Sequence, residues 1–212
     1  MKVLSTNIAQ PKFVTIRGEK QRTGIFKKPT QQPIFLDMEE VRGDEVSNRK
    51  VHGGLFKACY LFGAENYPHW KNLYPHLDWT HGMLGENLTI QGLDETILHV
   101  GDVYKIGQAI IQITQPREPC NTFAAKMGSQ DILQQFVDHG NPGAYVRVLE
   151  TGYVKMDDTM TLMIKAKNSV SIADFFKLIF SRDKNQEHVK RLIECEVLPK
   201  RKRVQLARFL KK

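Results

Sequence analysis

The fold is decided near the middle of the chain by residues 109–120, which read AIIQITQPREPC. The isoleucines make the first half rich in β-branched residues, and such a run favours a β-strand. Two prolines then flank Arg117 and restrict the backbone on either side of it. The sequence therefore predicts a strand that ends in a rigid loop, with Cys120 at a position where residues with chemical roles are common.

Cys120 is the candidate for chemistry in this loop. Arg117 lies three residues before it, and a nearby guanidinium favours the thiolate, which is the form that binds a metal or attacks an electrophile. A partly buried cysteine in a proline-kinked turn fits the same pattern, because free cysteine also packs as a small hydrophobic residue. Cys59 lies in an apolar run and is expected in the core, and Cys195 is expected to have a structural role.

Short strands and turns are predicted throughout the first 167 residues. Helices interrupt them at about residues 62–73 and 129–139, the second with apolar residues at helical spacing. The expected fold class is α+β and mostly β, with a β-barrel or sandwich at its centre. The predicted strands are residues 3–8, 13–16, 33–36, 86–90, 103–106, 109–114, 144–149 and 160–164.

The character of the sequence changes after residue 167. Ser171 and Asp174 form a helix-capping pattern before an apolar segment, a second helix follows at residues 187–196, and Pro199 opens a third. We expect two domains, at 1–167 and 168–212, the second being a small three-helix unit. This second domain carries +7 of the net charge of +8, so any argument for nucleic-acid binding concerns the tail alone.

Composition and the absence of known motifs exclude several classes of protein. No apolar run approaches the roughly 20 residues that cross a bilayer, and the first residues do not form a signal peptide. Three widely spaced cysteines argue against a disulfide framework and for the reducing cytoplasm. No glycine-rich nucleotide motif, iron–sulfur cysteine set or zinc motif is present. Electrons for a redox reaction are therefore expected from another protein.

Three groups of residues are candidates for binding a ligand. Paired glycines let a backbone approach a ligand closely, a histidine donates hydrogen bonds or protons, and lysines hold phosphate or carboxylate. Each group is equally compatible with a solvated turn, so none of them identifies a site alone. The candidates are Lys27 and Lys28 in the first group, Lys50, His52, Gly53, Gly54 and Lys57 in the second, and Glu86 and Asn87 in the third.

Taken together in their order along the chain, the three groups of candidate residues and the loop that carries Cys120 resemble the MOSC domain family, and specifically its YiiM-type members. The tail is similar to the three-α domain that follows the MOSC domain in this family. The resemblance implies a MOSC β-barrel, with its core at about residues 24–150, that binds the molybdenum cofactor (molybdopterin) with Cys120 as the metal ligand. The matching stretches are residues 24–29, 43–45, 50–54, 57–58, 85–88, 101–102 and 115–120.

The resemblance also implies an activity and a set of site residues. Related proteins are implicated in reducing N-hydroxylated compounds such as 6-N-hydroxylaminopurine, a mutagenic base analogue, with electrons from a separate reductase. Cys120, His52 and Arg117 would be catalytic, and the candidate ligand-binding residues would hold the cofactor together with Arg117 and Cys120. Relatives often have a lysine two positions after the cysteine, where this chain has Thr122, so Lys126 is a candidate for the missing charge.

Two other classes of function remain open at this point. A protein of this family can be a carrier that binds the cofactor, or a sulfur or metal species, without turnover. The basic segment Lys200-Arg201-Lys202-Arg203 also fits a helix that binds nucleic acid. A solvated helix face, or a docking surface for an acidic redox partner, accounts for the same residues. The sequence therefore favours a small-molecule substrate and a reductase partner over nucleic acid or a membrane.

Overall fold

The computed structural model describes residues 1–16, 18–46 and 53–211 of the chain. The described strands are β1 (Lys2–Ile8), β2 (Lys12–Ile16), β3 (Glu19–Thr23), β4 (Lys28–Thr30), β5 (Ile34–Leu36), β6 (Cys59–Gly63), β7 (Leu88–Gln91), β8 (Val103–Ile106), β9 (Ala109–Pro116), β10 (Ala144–Glu150), β11 (Gly152–Val154) and β12 (Met160–Ile164). The described α-helices are α1 (Tyr67–Leu73), α2 (Asn121–Met127), α3 (Ile132–His139), α4 (Ile172–Phe180), α5 (Gln186–Glu194) and α6 (Lys200–Ala207).

Eight of these strands form one sheet in the order β12-β8-β9-β10-β6-β7-β1-β4. All neighbours are antiparallel except β6 and β7, which run parallel. The hairpin β2–β3 and the pair β5–β11 form two small additional sheets. The expected α+β class, with strands predominating, is confirmed.

The expected β-barrel is not closed by strand pairing in the described part of the chain. The sheet curls until β1 approaches β12, where Lys2 bridges Thr159 and the Val3 amide donates to the carbonyl of Asp158 at 2.9 Å. The last part of β1, from Thr6 to Ile8, pairs with β4. Strand β4 therefore covers the edge of β1 that would have to pair with β12 in a closed barrel. The architecture is therefore an open, curled sheet with a short bridge across its seam.

The alternating side chains of the central strands separate two hydrophobic clusters. In β6, Leu61 packs into the larger cluster, which includes buried residues of α4, α5 and α6, whereas Tyr60 and Phe62 join the second cluster, as does Phe176 of α4. In β10, Val146 faces the first cluster and Tyr145 the second. The second cluster also contains the buried side chains of α1, α2 and α3, so these helices cover the other face of the sheet.

The C-terminal helices agree with the sequence pattern. Ser171 caps α4 by accepting a hydrogen bond from the amide of Asp174 at 3.1 Å, and Pro199 immediately precedes α6. Since all three helices share one hydrophobic cluster with the sheet, their division into a separate domain stays a prediction. Among the described residues, none of the helices is long and apolar enough to span a membrane.

The helix predicted at residues 62–73 begins later than expected. Strand β6 continues to Gly63, because it is buried on both faces between β10 and β7, and α1 begins only at Tyr67. The sequence pattern also did not predict α2, which directly follows Cys120, or strands β3, β4, β6 and β11. These elements lack a clear apolar period of their own and depend on the packing around them.

Gly143 should be a steric determinant of the sheet. It has φ +65°, and a Cβ atom there would lie 2.2 Å from the carbonyl oxygen of Leu61. Gly140 provides a matched control, since its φ is +77° but its Cβ would meet no atom within 4 Å. Both alanine substitutions incur left-handed backbone strain of about 1–2 kcal/mol. We expect Gly143→Ala to lower the free energy of unfolding by a further 1–3 kcal/mol or so, measured by urea denaturation. Equal losses would contradict the steric account.

Candidate functional site

A cavity opens on the face of the sheet that carries the second hydrophobic cluster. Its walls come from the hairpin β2–β3, the loops before β4 and after β5, strands β6 and β10, and the loop that joins β9 to α2. Five of the predicted site residues lie in it, namely Lys27, Lys57, Asn87, Arg117 and Cys120. The other lining residues are Gln21, Arg22, Thr23, Gly24, Ile25, Glu45, Val46, Ala58, Tyr60, Gly85, Thr122 and Tyr145.

Cys120 lies between the end of β9 and the start of α2, as the sequence predicts. Its backbone is extended, with φ −142° and ψ 164°, and its carbonyl accepts hydrogen bonds from the amides of Phe123 and Ala124 at 2.9 and 3.1 Å. The residue is partly buried and lines the cavity. The first turn of α2 therefore fixes the backbone from which the thiol projects.

Arg117 is a buried cation without an acidic partner. It is 5% exposed, donates to the carbonyl of Leu84, and lies against the rings of Phe123, Tyr60 and Phe136 at 4.5, 5.2 and 5.6 Å. Across the residues that the structure describes, it forms no ion pair with Asp or Glu. Since a buried charge is costly unless it is compensated, this guanidinium favours an anion in the cavity.

Lys27 and Asn87 belong to a buried polar network around Asp44. The Lys27 ammonium pairs with the Asp44 carboxylate, and their side chains are 7% and 1% exposed. Asn87 donates to the same carboxylate at 2.8 Å and accepts from the Tyr60 amide at 3.2 Å, while the Ala9 amide donates to Asp44 at 2.7 Å. These contacts tie together the loops that border the cavity.

Glu86 lies behind the cavity wall and does not line the cavity. One carboxylate oxygen accepts from the Tyr67 hydroxyl, the Gly82 amide at 2.9 Å and the Thr89 hydroxyl at 2.7 Å. The other oxygen is buried without a hydrogen-bond partner. Glu86 thus stabilises the turn at residues 82–86. The Leu84 carbonyl in this turn accepts the hydrogen bond from Arg117.

Two lysines near the site have lowered pKa values. Burial is the main cause for Lys57, with Lys202 and Arg201 adding to it and Glu118 and Cys120 opposing it. Burial likewise lowers the pKa of Lys126 to about 7. The Lys126 ammonium donates to the carbonyls of Ile25 and Gly82 at 2.9 and 3.1 Å. Lys126 therefore links two loops of the site, although it does not itself line the cavity.

Three other predicted residues are described by the structure but do not line the cavity. Lys28 is exposed and points away from it, because neighbouring residues of an extended segment face opposite sides. Gly53 and Gly54 precede a short 3₁₀ helix at Leu55–Lys57 and do not line the cavity. His52 and Lys50 lie outside the described residues.

Other residues at the site were not predicted. The hairpin β2–β3 supplies Arg22, which pairs with Glu45 at 2.9 Å across the cavity rim. Tyr60 and Tyr145 form one wall, with their ring centroids 5.2 Å apart. The composition of β6 could have indicated Tyr60, since it is the polar-tipped residue on an otherwise apolar strand, whereas β10 also carries Arg147 and Glu150.

An ion pair links the C-terminal helices to the loop that carries Cys120. Lys202 of α6 approaches Glu118 at 2.6 Å, and the side chain of Lys202 is only 11% exposed. Glu118 lies two residues before Cys120, so α6 holds the loop that carries the thiol. One of the four basic residues at 200–203 thus has a structural contact within the chain.

Removing Lys27 should destabilise the protein strongly. Lys27→Met leaves the Asp44 carboxylate buried without its cation, which typically costs about 3–5 kcal/mol. Lys28→Met is the matched control, because its exposed side chain should change the free energy of unfolding by less than about 0.5 kcal/mol. Urea denaturation measures both values. The double variant Lys27→Met/Asp44→Asn should recover part of the loss, and equal stability of the two single variants would refute a structural role for the pair.

Lys126 should make stability depend on pH. Its pKa is about 7 in the folded protein, against 10.5 for an ordinary lysine, so between these values the unfolded chain binds more protons. Stability of the wild type relative to Lys126→Met should therefore rise from pH 7 to pH 10 and be level below pH 7. Denaturation at several pH values measures it, with the exposed Lys71→Met as the control. A difference that is constant over this range would contradict the shift.

Comparisons with known proteins agree with this architecture. The MOSC domain model matches residues 48–161, more than half of the chain. The crystal structure of YiiM from Geobacillus stearothermophilus superposes with a TM-score of 0.82 at 27% sequence identity, and the match covers 99% of both chains.

Two curated relatives extend the comparison. "Uncharacterized protein YflK" of Bacillus subtilis (strain 168) is 32% identical over 99% of this chain and 93% of its own length. A protein named "Reductase" of Gibberella moniliformis is 27% identical over 86% of this chain, which corresponds to 32% of that longer protein. The domain match, the fold and the full-length similarity lead to the same conclusion: this chain belongs to the MOSC domain family.

Proposed function

We propose that this protein is a molybdenum-cofactor-dependent reductase that converts N-hydroxylated compounds, such as 6-N-hydroxylaminopurine, to amines with electrons from a separate reductase. The observation that carries the proposal is that Cys120 and the buried cation of Arg117, which has no carboxylate partner among the described residues, line one cavity. A thiol and a buried positive charge suit an anionic, sulfur-rich group. Membership of the MOSC family and the relative named "Reductase" support the redox class.

The residues of the cavity fit the cofactor by their chemistry. The soft thiolate of Cys120 suits a metal that is already bonded to the two sulfurs of a pterin. Within the described residues, no three His, Cys, Asp or Glu side chains cluster as a protein metal site. A metal at Cys120 would therefore take its other ligands from the pterin and from solvent. The cations of Arg117 and Lys57 would balance the negative charge of the pterin phosphate and sulfurs.

The reaction needs two electrons and two protons for each substrate molecule. The N–O bond of R–NH–OH breaks, and the products are R–NH₂ and water. When bound, the cofactor supplies two-electron chemistry that the side chains of this chain lack. The work of the protein is to bind, orient and balance charge around the reacting groups.

Individual residues would divide this work. Cys120 would hold the metal, and Arg117 and Lys57 would balance the negative charge of the cofactor from the cavity wall. Lys27 and Asn87 would act through the Asp44 network, which fixes the wall rather than the ligand. His52, with Lys50, remains a proposed proton donor and phosphate contact on the basis of the sequence alone.

A carrier without turnover is the second candidate. The partial burial of Cys120 favours it, because a thiol within reach of solvent could pass a bound cofactor or sulfur species to another protein. Multiple turnovers per chain with an external reductant would separate the two functions. A carrier would release its cargo to an acceptor and reduce no more than one equivalent of substrate.

Replacing Cys120 should remove the metal. We expect Cys120→Ala, purified from cells that make the cofactor, to contain little molybdenum or pterin and to lose turnover with dithionite and an N-hydroxylated base. Cys195→Ser is the control, because that cysteine lies outside the cavity and should leave both unchanged. Elemental analysis and fluorescence of the oxidised pterin measure the contents.

Either of two results would count against this assignment. A Cys120→Ala protein that reduces the substrate at the wild-type rate would exclude the thiol from the reaction. A wild-type protein that binds neither molybdenum nor pterin in such cells would remove the reductase from consideration and favour a different cargo.

A further inference from the structure

Tyr145 has a hydroxyl group that no hydrogen bond engages among the residues that the structure describes. The residue lies on β10 in the wall of the cavity and is only 9% exposed. Buried phenols normally donate a hydrogen bond. Within the described residues, however, the Tyr145 hydroxyl makes none, and the only hydrogen bond to this residue outside the strand ladder goes from the Thr114 hydroxyl to its carbonyl, at 3.0 Å.

Neighbouring tyrosines behave differently. Tyr60, in the same wall, donates to the carbonyl of Pro142 at 2.7 Å, Tyr67 donates to Glu86, and Tyr74 donates to Gln135. Their hydroxyl groups hold the structure together. Because Tyr145 lines the cavity, its hydroxyl is available to a ligand there.

The position of Tyr145 is rigid. Its backbone pairs with Tyr60 on β6 and with Gln115 on β9, so it lies in the middle of the sheet. The Tyr60 ring lies 5.2 Å away, and the Lys57 ammonium is 5.1 Å from the centre of the Tyr145 ring. A side chain held in this way is suited to a fixed contact with a reacting group.

The phenol is in the form that donates a proton. Burial raises the pKa of Tyr145 to about 12, with Cys120 and Glu118 adding to the rise and Arg117 opposing it. The hydroxyl is therefore protonated at neutral pH. A departing hydroxide is a stronger base than the phenolate, so it can accept that proton. Tyr145 lines the same cavity as Cys120 and Arg117.

From this geometry we propose that Tyr145 is a catalytic residue, whose phenol hydrogen-bonds the N-hydroxyl oxygen of the substrate and donates a proton to it as the N–O bond breaks. The inference rests on the proposed reductase function. Two electrons would come from the external reductant, the phenol would supply one proton to the departing oxygen, and solvent would supply the second proton to the amine nitrogen. Solvent then reprotonates the phenolate, and the net products are the amine and water.

Tyr145→Phe tests the proposal, with Tyr104→Phe as the matched control. Tyr104 is also buried and its hydroxyl likewise makes no hydrogen bond within the described residues, but it belongs to the other hydrophobic cluster and does not line the cavity. Each protein is purified from cells that make the cofactor. Molybdenum, pterin, turnover with dithionite and 6-N-hydroxylaminopurine, and calorimetric affinity of the oxidised protein for that base are then measured.

The expected result has three parts. Tyr145→Phe keeps the metal and pterin content of the wild type, loses about 10²–10⁴-fold in kcat, and binds the base about three- to tenfold more weakly. Tyr104→Phe matches the wild type in all of these quantities. Fluorotyrosine at position 145, which is more acidic, changes kcat in a graded way, as a purely structural role would not.

Other outcomes overturn the proposal. A kcat within about threefold of the wild type would show that the phenol donates no proton that matters to the rate. Loss of pterin from Tyr145→Phe would assign the hydroxyl to the cofactor instead. If the wild type itself contains the cofactor but reduces no N-hydroxylated compound, the proposed function fails, and that result is distinguishable from failure of Tyr145 alone.

Discussion

The burial of Arg117 is the constraint on which the site depends. A guanidinium cannot lose its proton to escape an apolar environment, so a chain that buries one must surround it with compensating groups. Here the Leu84 carbonyl and three aromatic rings supply part of that compensation, and no carboxylate in the described residues completes it. The cation therefore fixes the turn at residues 82–86, orders the loop before Cys120 and favours a negative group in the cavity.

The sheet provides the rigidity that this arrangement needs. Strands β6 and β10 alternate their side chains between two hydrophobic clusters, so one face anchors the C-terminal helices while the other presents Tyr60 and Tyr145 to the cavity. The ion pair of Lys202 with Glu118 connects the helices back to the loop of Cys120. The basic tail therefore helps to hold the loop of Cys120 in place.

Local pattern predicted much of this structure. The β-branched run at residues 109–114 became β9, the capping residue Ser171 starts α4, and Cys120 follows a strand as expected. What failed depended on distant contacts: Lys27 and Lys28 look alike in sequence, yet only Lys27 meets Asp44 in the interior. Glu86 and Tyr145 gained their surroundings from segments far along the chain. Sequence spacing cannot reveal which hydroxyl group is left without a partner.

Molybdenum K-edge X-ray absorption of the cofactor-loaded protein tests the central claim most directly. If Cys120 ligates the metal, the spectrum of the wild type should require three sulfur neighbours at single-bond distance, two from the pterin and one from the thiolate. Two such neighbours in the wild type would contradict the account, since the cysteine would then lie beside the cofactor without binding its metal.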